Sequence, residues 1–190
     1  MQEARAAWAE HQKTLDPARL FFLDETWAST NMARRYGRAP TNERLIAHVP
    51  HGHWKTTTFI AALTLQGAVA PMVTDGPING ALFLKYIREF LCPLLTPGDC
   101  VIMDNLSSHK VEGVTEAIEA AGAALLYLPP YSPDFNPIEQ YFSRLKAALR
   151  KRAERTVEAL WTAIGTLYDT VTPTQCNNFF HNAGYAVRKL

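Results

Sequence analysis

ARLFFLDE, residues 18–25, is the stretch from which the rest of the chain is read. Its apolar run reads as a buried strand, and the run stops at Asp24 and Glu25. DCVIMDN, residues 99–105, repeats the form, an apolar run ending in Asp104 and Asn105. Each aspartate therefore sits at the expected C-terminal end of a strand. Between these runs, TTTFIAALTLQG (56–67) is rich in β-branched residues and ends in a turn, and AVAPMVTDG (68–76) reads as its hairpin partner. Residues 79–92 carry Leu82, Phe83, Tyr86, Ile87 and Phe90 at helical spacing, stopped by Pro93. Residues 111–123 predict a helix ending near Gly122, ALLYLPP (124–130) a strand, and 137–152 and 156–170 two helices. Residues 1–16 predict a short helix, and the polar, basic stretch 29–45 a loop or an interrupted hairpin. Antiparallel strands first and β-α-β alternation later predict an α/β fold, a mixed sheet with helices on its faces. In such sheets, sites gather at strand ends near switch points.

The chain has 190 residues, of which 47% are hydrophobic. That suits one domain with a sizeable core and argues against disorder. A net charge of +1 gives no global signature of nucleic-acid binding, so such a partner must be met by a local patch. Cys92, Cys100 and Cys176 are odd in number and lack CxxC spacing, so they read as thiols in a reducing compartment. The N-terminus lacks the apolar core of a secretory signal, and no apolar run reaches membrane-spanning length.

The third acid of interest is Glu139, in YSPDFNPIEQYFSRLK. Each acid has an ordinary alternative. Asp24 and Asp104 could begin turns. Asn136, Pro137 and Glu139 fit N-cap, N1 and N3 of a helix, which would make Glu139 a capping residue. Glu25 should point to the face opposite Asp24, which favours Asp24 with Glu25 as the fallback. Helical geometry puts Glu139, Ser143, Lys146 and Arg150 on one polar stripe. An apolar stripe of Ile138, Phe142, Leu145 and Leu149 lies beside it. A glutamate followed by cations along one face suits a metal site beside a phosphate backbone, although solvated helix faces also carry such charges. Arg144, Lys146, Arg150, Lys151, Arg152 and Arg155 form the one dense basic run, and Arg34, Arg35 and Arg38 a looser one after Asp24. His109 and Lys110 follow Asp104 closely; His109 could touch a phosphate or make an ordinary loop contact, and Ser107 or Ser108 could cap the helix that follows.

Three carboxylates gathered from distant positions need cations between them, because their mutual repulsion would raise a pKa or open the site. Magnesium takes hard oxygen ligands, and a pair of such ions serves phosphodiester cleavage without a nucleophilic side chain. No GxSxG, P-loop or HExxH competes with that reading.

FLDET, MDNLSSHK and above all LPPYSPDFNPIEQYFSRLK resemble the DDE transposases of the mariner superfamily, of the bacterial insertion-sequence type. There are 34 residues between Asp104 and Glu139, the family's spacing for a glutamate third ligand. The resemblance spans about Ala18 to Tyr185. It implies an RNase H-like fold with a mixed five-stranded sheet and helices on both faces. Residues 1–17 would be a helical lead-in and 18–185 the catalytic domain. It further implies Asp24, Asp104 and Glu139 as the catalytic, metal-holding acids, with two Mg²⁺ ions for which Mn²⁺ would substitute. The reaction would be cleavage at transposon ends and strand transfer into target DNA. The DNA contacts would come from Arg34, Arg35, Arg38, His109, Lys110, Lys146, Arg150, Lys151 and Arg152. A homodimer on DNA and a cytoplasmic, nucleoid-associated location follow from the same resemblance. The family's N-terminal helix-turn-helix region finds no counterpart here, which implies a catalytic fragment or a separately encoded DNA-binding half. The alternative is a catalytically idle remnant that binds DNA or a partner as a regulator.

Overall fold

A computed structural model describes residues 2–106 and 109–185. Its elements in chain order are α1 (Gln2–His11), β1 (Leu20–Ser29), β2 (Thr56–Thr64), β3 (Gly67–Asp75), α2 (Gly80–Tyr86), β4 (Cys100–Met103), α3 (Val114–Ala120), β5 (Ala124–Tyr127), α4 (Pro137–Arg152), α5 (Val157–Leu167) and α6 (Pro173–Asn182). The sheet order is β3-β2-β1-β4-β5. The β1–β2 and β2–β3 pairs are antiparallel, and the β1–β4 and β4–β5 pairs are parallel. This is the expected mixed five-stranded sheet. Pro71 is tolerated because β3 lies at the sheet edge, where a missing N–H costs no inner ladder bond.

Alternation along each strand divides the core in two. Phe22, Phe59, Ala61, Leu63 and Ile102 face α4, α5 and α6, joined by Phe142, Leu145, Ile164 and Phe180. Leu23, Ile60, Ala62, Val101 and Met103 face the other way, onto Phe83, Tyr86, Val114 and Ile118 of α2 and α3. Helices therefore cover both faces. Phe22 anchors the first layer through edge-to-face contacts with Phe180 and Tyr185, their ring centroids 5.1 and 4.9 Å away. Contacts of that kind add about 0.5–1.5 kcal/mol each beyond simple burial.

Some expectations need correcting. The helix read over 79–92 is α-helical only to Tyr86 and continues as a π turn, Ile87–Leu91. The helix read over 111–123 starts at Val114, with Gly113 at its N-cap in a left-handed conformation. The expected serine caps, Ser107 and Ser108, lie outside the described residues. Helix α6 was not anticipated, although Thr172, Pro173 and Gln175 form a complete capping box. Residues 31–55 are irregular and largely exposed, a loop and not a hairpin. Among the described residues, no helix is long and apolar enough to cross a membrane.

Candidate active site

Strand register brings the two aspartates together. β1 and β4 run parallel with Leu23 beside Met103, so the next residue on each chain is an aspartate. β4 stops there, and Asp104 lies just past its end as expected. Asp24 is placed differently from expectation. β1 continues to Ser29 as the antiparallel partner of β2, with Asp24 opposite Ala61 in mid-strand. The apolar run ends at Leu23, but pairing with β2 carries the strand onward through DETWAS. Beyond Leu23, β1 has no β4 partner. A cavity of about 310 Å³ is lined there by Asp24, Asp104, Leu128, Pro130, Asn136 and Glu139, among others.

Asp24 is 6% exposed. Its Oδ1 accepts the Glu25 backbone N–H at 2.7 Å, and its Oδ2 accepts the Asn136 amide at 2.9 Å. Burial, and then the charges of Asp104 and Glu139, push its carboxyl up to about 7. Burial is the larger cause, and the two neighbouring carboxylates add to it. Among the described residues, no three His, Cys, Asp or Glu side chains stand close enough to hold a metal ion. The three acids thus share one cavity without being drawn to coordination distance. The donor set fits a hard divalent cation, being all oxygen. The Asn136 side-chain oxygen nearby is buried and has no hydrogen-bond partner among the described residues.

The predicted capping box at α4 is absent. Asn136 occupies the N-cap position, but its side chain makes no capping bond. Its NH₂ donates to Asp24 instead, and the side-chain oxygen that would accept a capping N–H is left unpartnered. Glu139 is exposed in the first turn and free of a capping role. The apolar stripe of α4 is buried as expected, Ile138, Phe142, Leu145 and Leu149 all lying in the core. Its polar stripe runs along two grooves. One, of about 500 Å³, lies between Glu139 and Lys146 on one side and Trp27, Thr56 and Thr58 on the other. The Lys146 ammonium stands 4.9 Å over the Trp27 ring, and burial lowers its basicity. The other groove, of about 480 Å³, gathers Arg34, Arg35, Arg150 and Lys151 around Tyr36. Burial and the adjacent Arg35 charge lower the basicity of Arg150.

The remaining residues expected on DNA lie elsewhere. Arg38 and Arg152 are exposed but line neither groove. Lys110 is exposed, its ammonium 5.4 Å above the Tyr127 ring. Arg155 donates to the carbonyls of Thr30 and Met32, pinning the chain where it leaves β1. His109 is fully buried, which corrects the expected phosphate contact. Its Nε2 lies 2.8 Å from Glu25 Oε2 and its Nδ1 2.6 Å from Asp104 Oδ1. The second approach is an ion-pair contact, off line for a hydrogen bond. Burial alone would lower the imidazole pKa, but its close contacts with Asp104 and Glu25, and their charges, raise it to about 10. Sequence reasoning missed this arrangement and the amide of Asn136. The usable signal was the alternation that turned Glu25 away from Asp24.

A family model described as DDE superfamily endonuclease matches residues 19–161. Among solved structures, the Mos1 transposase paired-end complex with left transposon end is similar at 16% identity and a TM-score of 0.73. That match covers 96% of this chain and 57% of the other. The Mos1 strand transfer complex matches over the same shares at 16% identity and a TM-score of 0.74. The catalytic domain of Mos1 mariner transposase matches at 14% identity and 0.61, over 98% of this chain and 93% of that one. The chain therefore spans a little over half of the longer transposase chains it resembles and nearly all of their catalytic domain, and the likeness establishes the RNase H-like fold. No curated protein matches.

Proposed function

The chain belongs to the DDE superfamily endonucleases, and on that premise we propose that it is the catalytic domain of a DNA transposase. Residues 18–185 would form the catalytic unit and residues 1–17 its lead-in. Asp24, Asp104 and Glu139 would hold the metal, two Mg²⁺ ions for which Mn²⁺ substitutes. The observation that carries the reading is the convergence of these carboxylates, from β1, the end of β4 and the first turn of α4, on one cavity. When bound, the metal would activate the attacking oxygen and relieve charge on the leaving oxygen.

The chain's own groups prepare this site. The Asn136 amide fixes one oxygen of Asp24, and Leu106 N–H holds Oδ1 of Asp104 at 3.1 Å. Lys146 and the arginine groove run along the same face of α4 as Glu139, so a phosphate backbone laid on that face would pass the acids. The natural DNA would be transposon ends and a target duplex, as in the Mos1 paired-end and strand transfer complexes. A homodimer on DNA, a separately encoded helix-turn-helix half and a cytoplasmic, nucleoid-associated location belong to the same proposal.

The test is nicking of a short duplex in Mg²⁺ or Mn²⁺ by the parent chain and its Asp104→Asn variant. Cleavage by the parent alone, abolished by chelator, is expected. Equal cleavage by both chains would overturn the assignment of Asp104. Cleavage by neither, with DNA still bound, would favour the regulatory reading instead.

A further inference from the structure

Resting on the metal reading of Asp104, we propose that His109, braced by Glu25, is the positioning residue that presents the Asp104 carboxylate to the metal. Asp104 stands where β4 has ended, on a segment without sheet pairing and partly open to solvent. Left alone, such a side chain would sample several rotamers. Two groups meet its Oδ1: the Leu106 backbone N–H and the His109 ring edge at Nδ1. Among the described residues none donates to Oδ2, which is left for a cation.

The imidazole can serve this role because it is itself fixed on several sides. It stacks on Phe83 at 4.8 Å between centroids and 20° between planes. Its backbone N–H bonds to the Leu106 carbonyl at 3.2 Å, and its carbonyl accepts the Tyr127 hydroxyl at 3.2 Å. Its far nitrogen is held by Glu25, a residue of the central strand. The period of the strand gives Asp24 and Glu25 opposite faces. One of the two neighbours thus serves the site directly, and the other serves it through His109. Carboxylates that hold metals are commonly fixed by such outer partners, and losing one typically weakens metal affinity about 10–100-fold.

The experiment measures Mn²⁺ affinity of the full chain without DNA, by electron paramagnetic resonance, with a thermal melt of each variant. An asparagine amide reaches roughly where Nδ1 lies, and a glutamine amide roughly where Nε2 lies. His109→Gln should therefore keep Glu25 but lose Asp104, weakening Mn²⁺ binding by about 10-fold or more. His109→Asn should recover most of that loss. Equal Mn²⁺ affinity in the parent and a folded His109→Gln would overturn the proposal. So would equal losses in the two variants that follow their melting temperatures. If substitution at His109 prevents folding, Glu25→Ala decides: a several-fold weaker site is expected, and an unchanged one overturns the bracing role. A parent chain that binds no Mn²⁺ would overturn the metal reading itself, and this inference with it.

Discussion

Replacing Asp24 by asparagine should stabilise the protein in chelator at alkaline pH and, on the proposed function, abolish its nicking of duplex DNA. The carboxyl ionises near 3.8 when unfolded and at about 7 in the folded chain, raised by burial and then by Asp104 and Glu139. Below pH 3.8 it is protonated in both states and costs nothing. Between these values the native state binds the extra proton, so stability falls as pH rises, and above about 7 the full penalty is present. A difference of about 3 pH units corresponds to about 4 kcal/mol. For a domain of this size that is roughly 10 °C in melting temperature. Asparagine can be accommodated. Its side-chain oxygen would still accept Glu25 N–H, and a flip of the Asn136 amide would turn that residue's unpartnered oxygen toward the new NH₂. The assay compares melts of parent and variant in chelator at pH 4 and pH 8. The two should melt together at pH 4 and separate at pH 8, with the variant higher; added Mg²⁺ should then raise the parent alone. A variant that melts no higher at pH 8, or a gap independent of pH, would refute the argument that Asp24 is a buried charge held against its neighbours.

Other outcomes follow from single contacts. Glu139→Gln should not lower stability in urea unfolding, because Glu139 makes no capping bond and its charge repels that of Asp24, yet it should abolish duplex nicking. Arg35→Ala with Arg150→Ala should weaken binding to duplexes of any sequence and lower the slope of log affinity against log salt by about 1–2, read by fluorescence anisotropy. Ala153→Gly should raise stability by about 0.5–1 kcal/mol in thermal melts, since Ala153 closes α4 at φ 57°, a conformation that glycine adopts without penalty.

The parts of this molecule that were legible from sequence are those that obey local rules. The apolar runs 20–23 and 100–103 are strands because a short run with no polar residue can only be buried. The stripe Ile138, Phe142, Leu145 and Leu149 faces the core because its period is that of a helix. What sequence misplaced are groups whose local preference loses to a partner far along the chain. Asn136 has the form of a cap, but a carboxylate 112 positions away takes its amide. His109 has the form of a loop residue beside a phosphate site, yet Glu25, 84 positions away, and Phe83 draw it fully inside. Asp24 has the form of a strand end until β2, across a loop that sequence cannot size, extends the strand past it. Asp24 and Asn136 line one cavity and His109 touches Asp104, which lines it too, and each departure places a polar or ionised group where burial is costly. A fold under no further demand would have left Asn136 to its helix and His109 to solvent. Their conjunction around Asp24 and Asp104 supports, independently of any likeness to other proteins, the proposal that this cavity is the site of the chemistry.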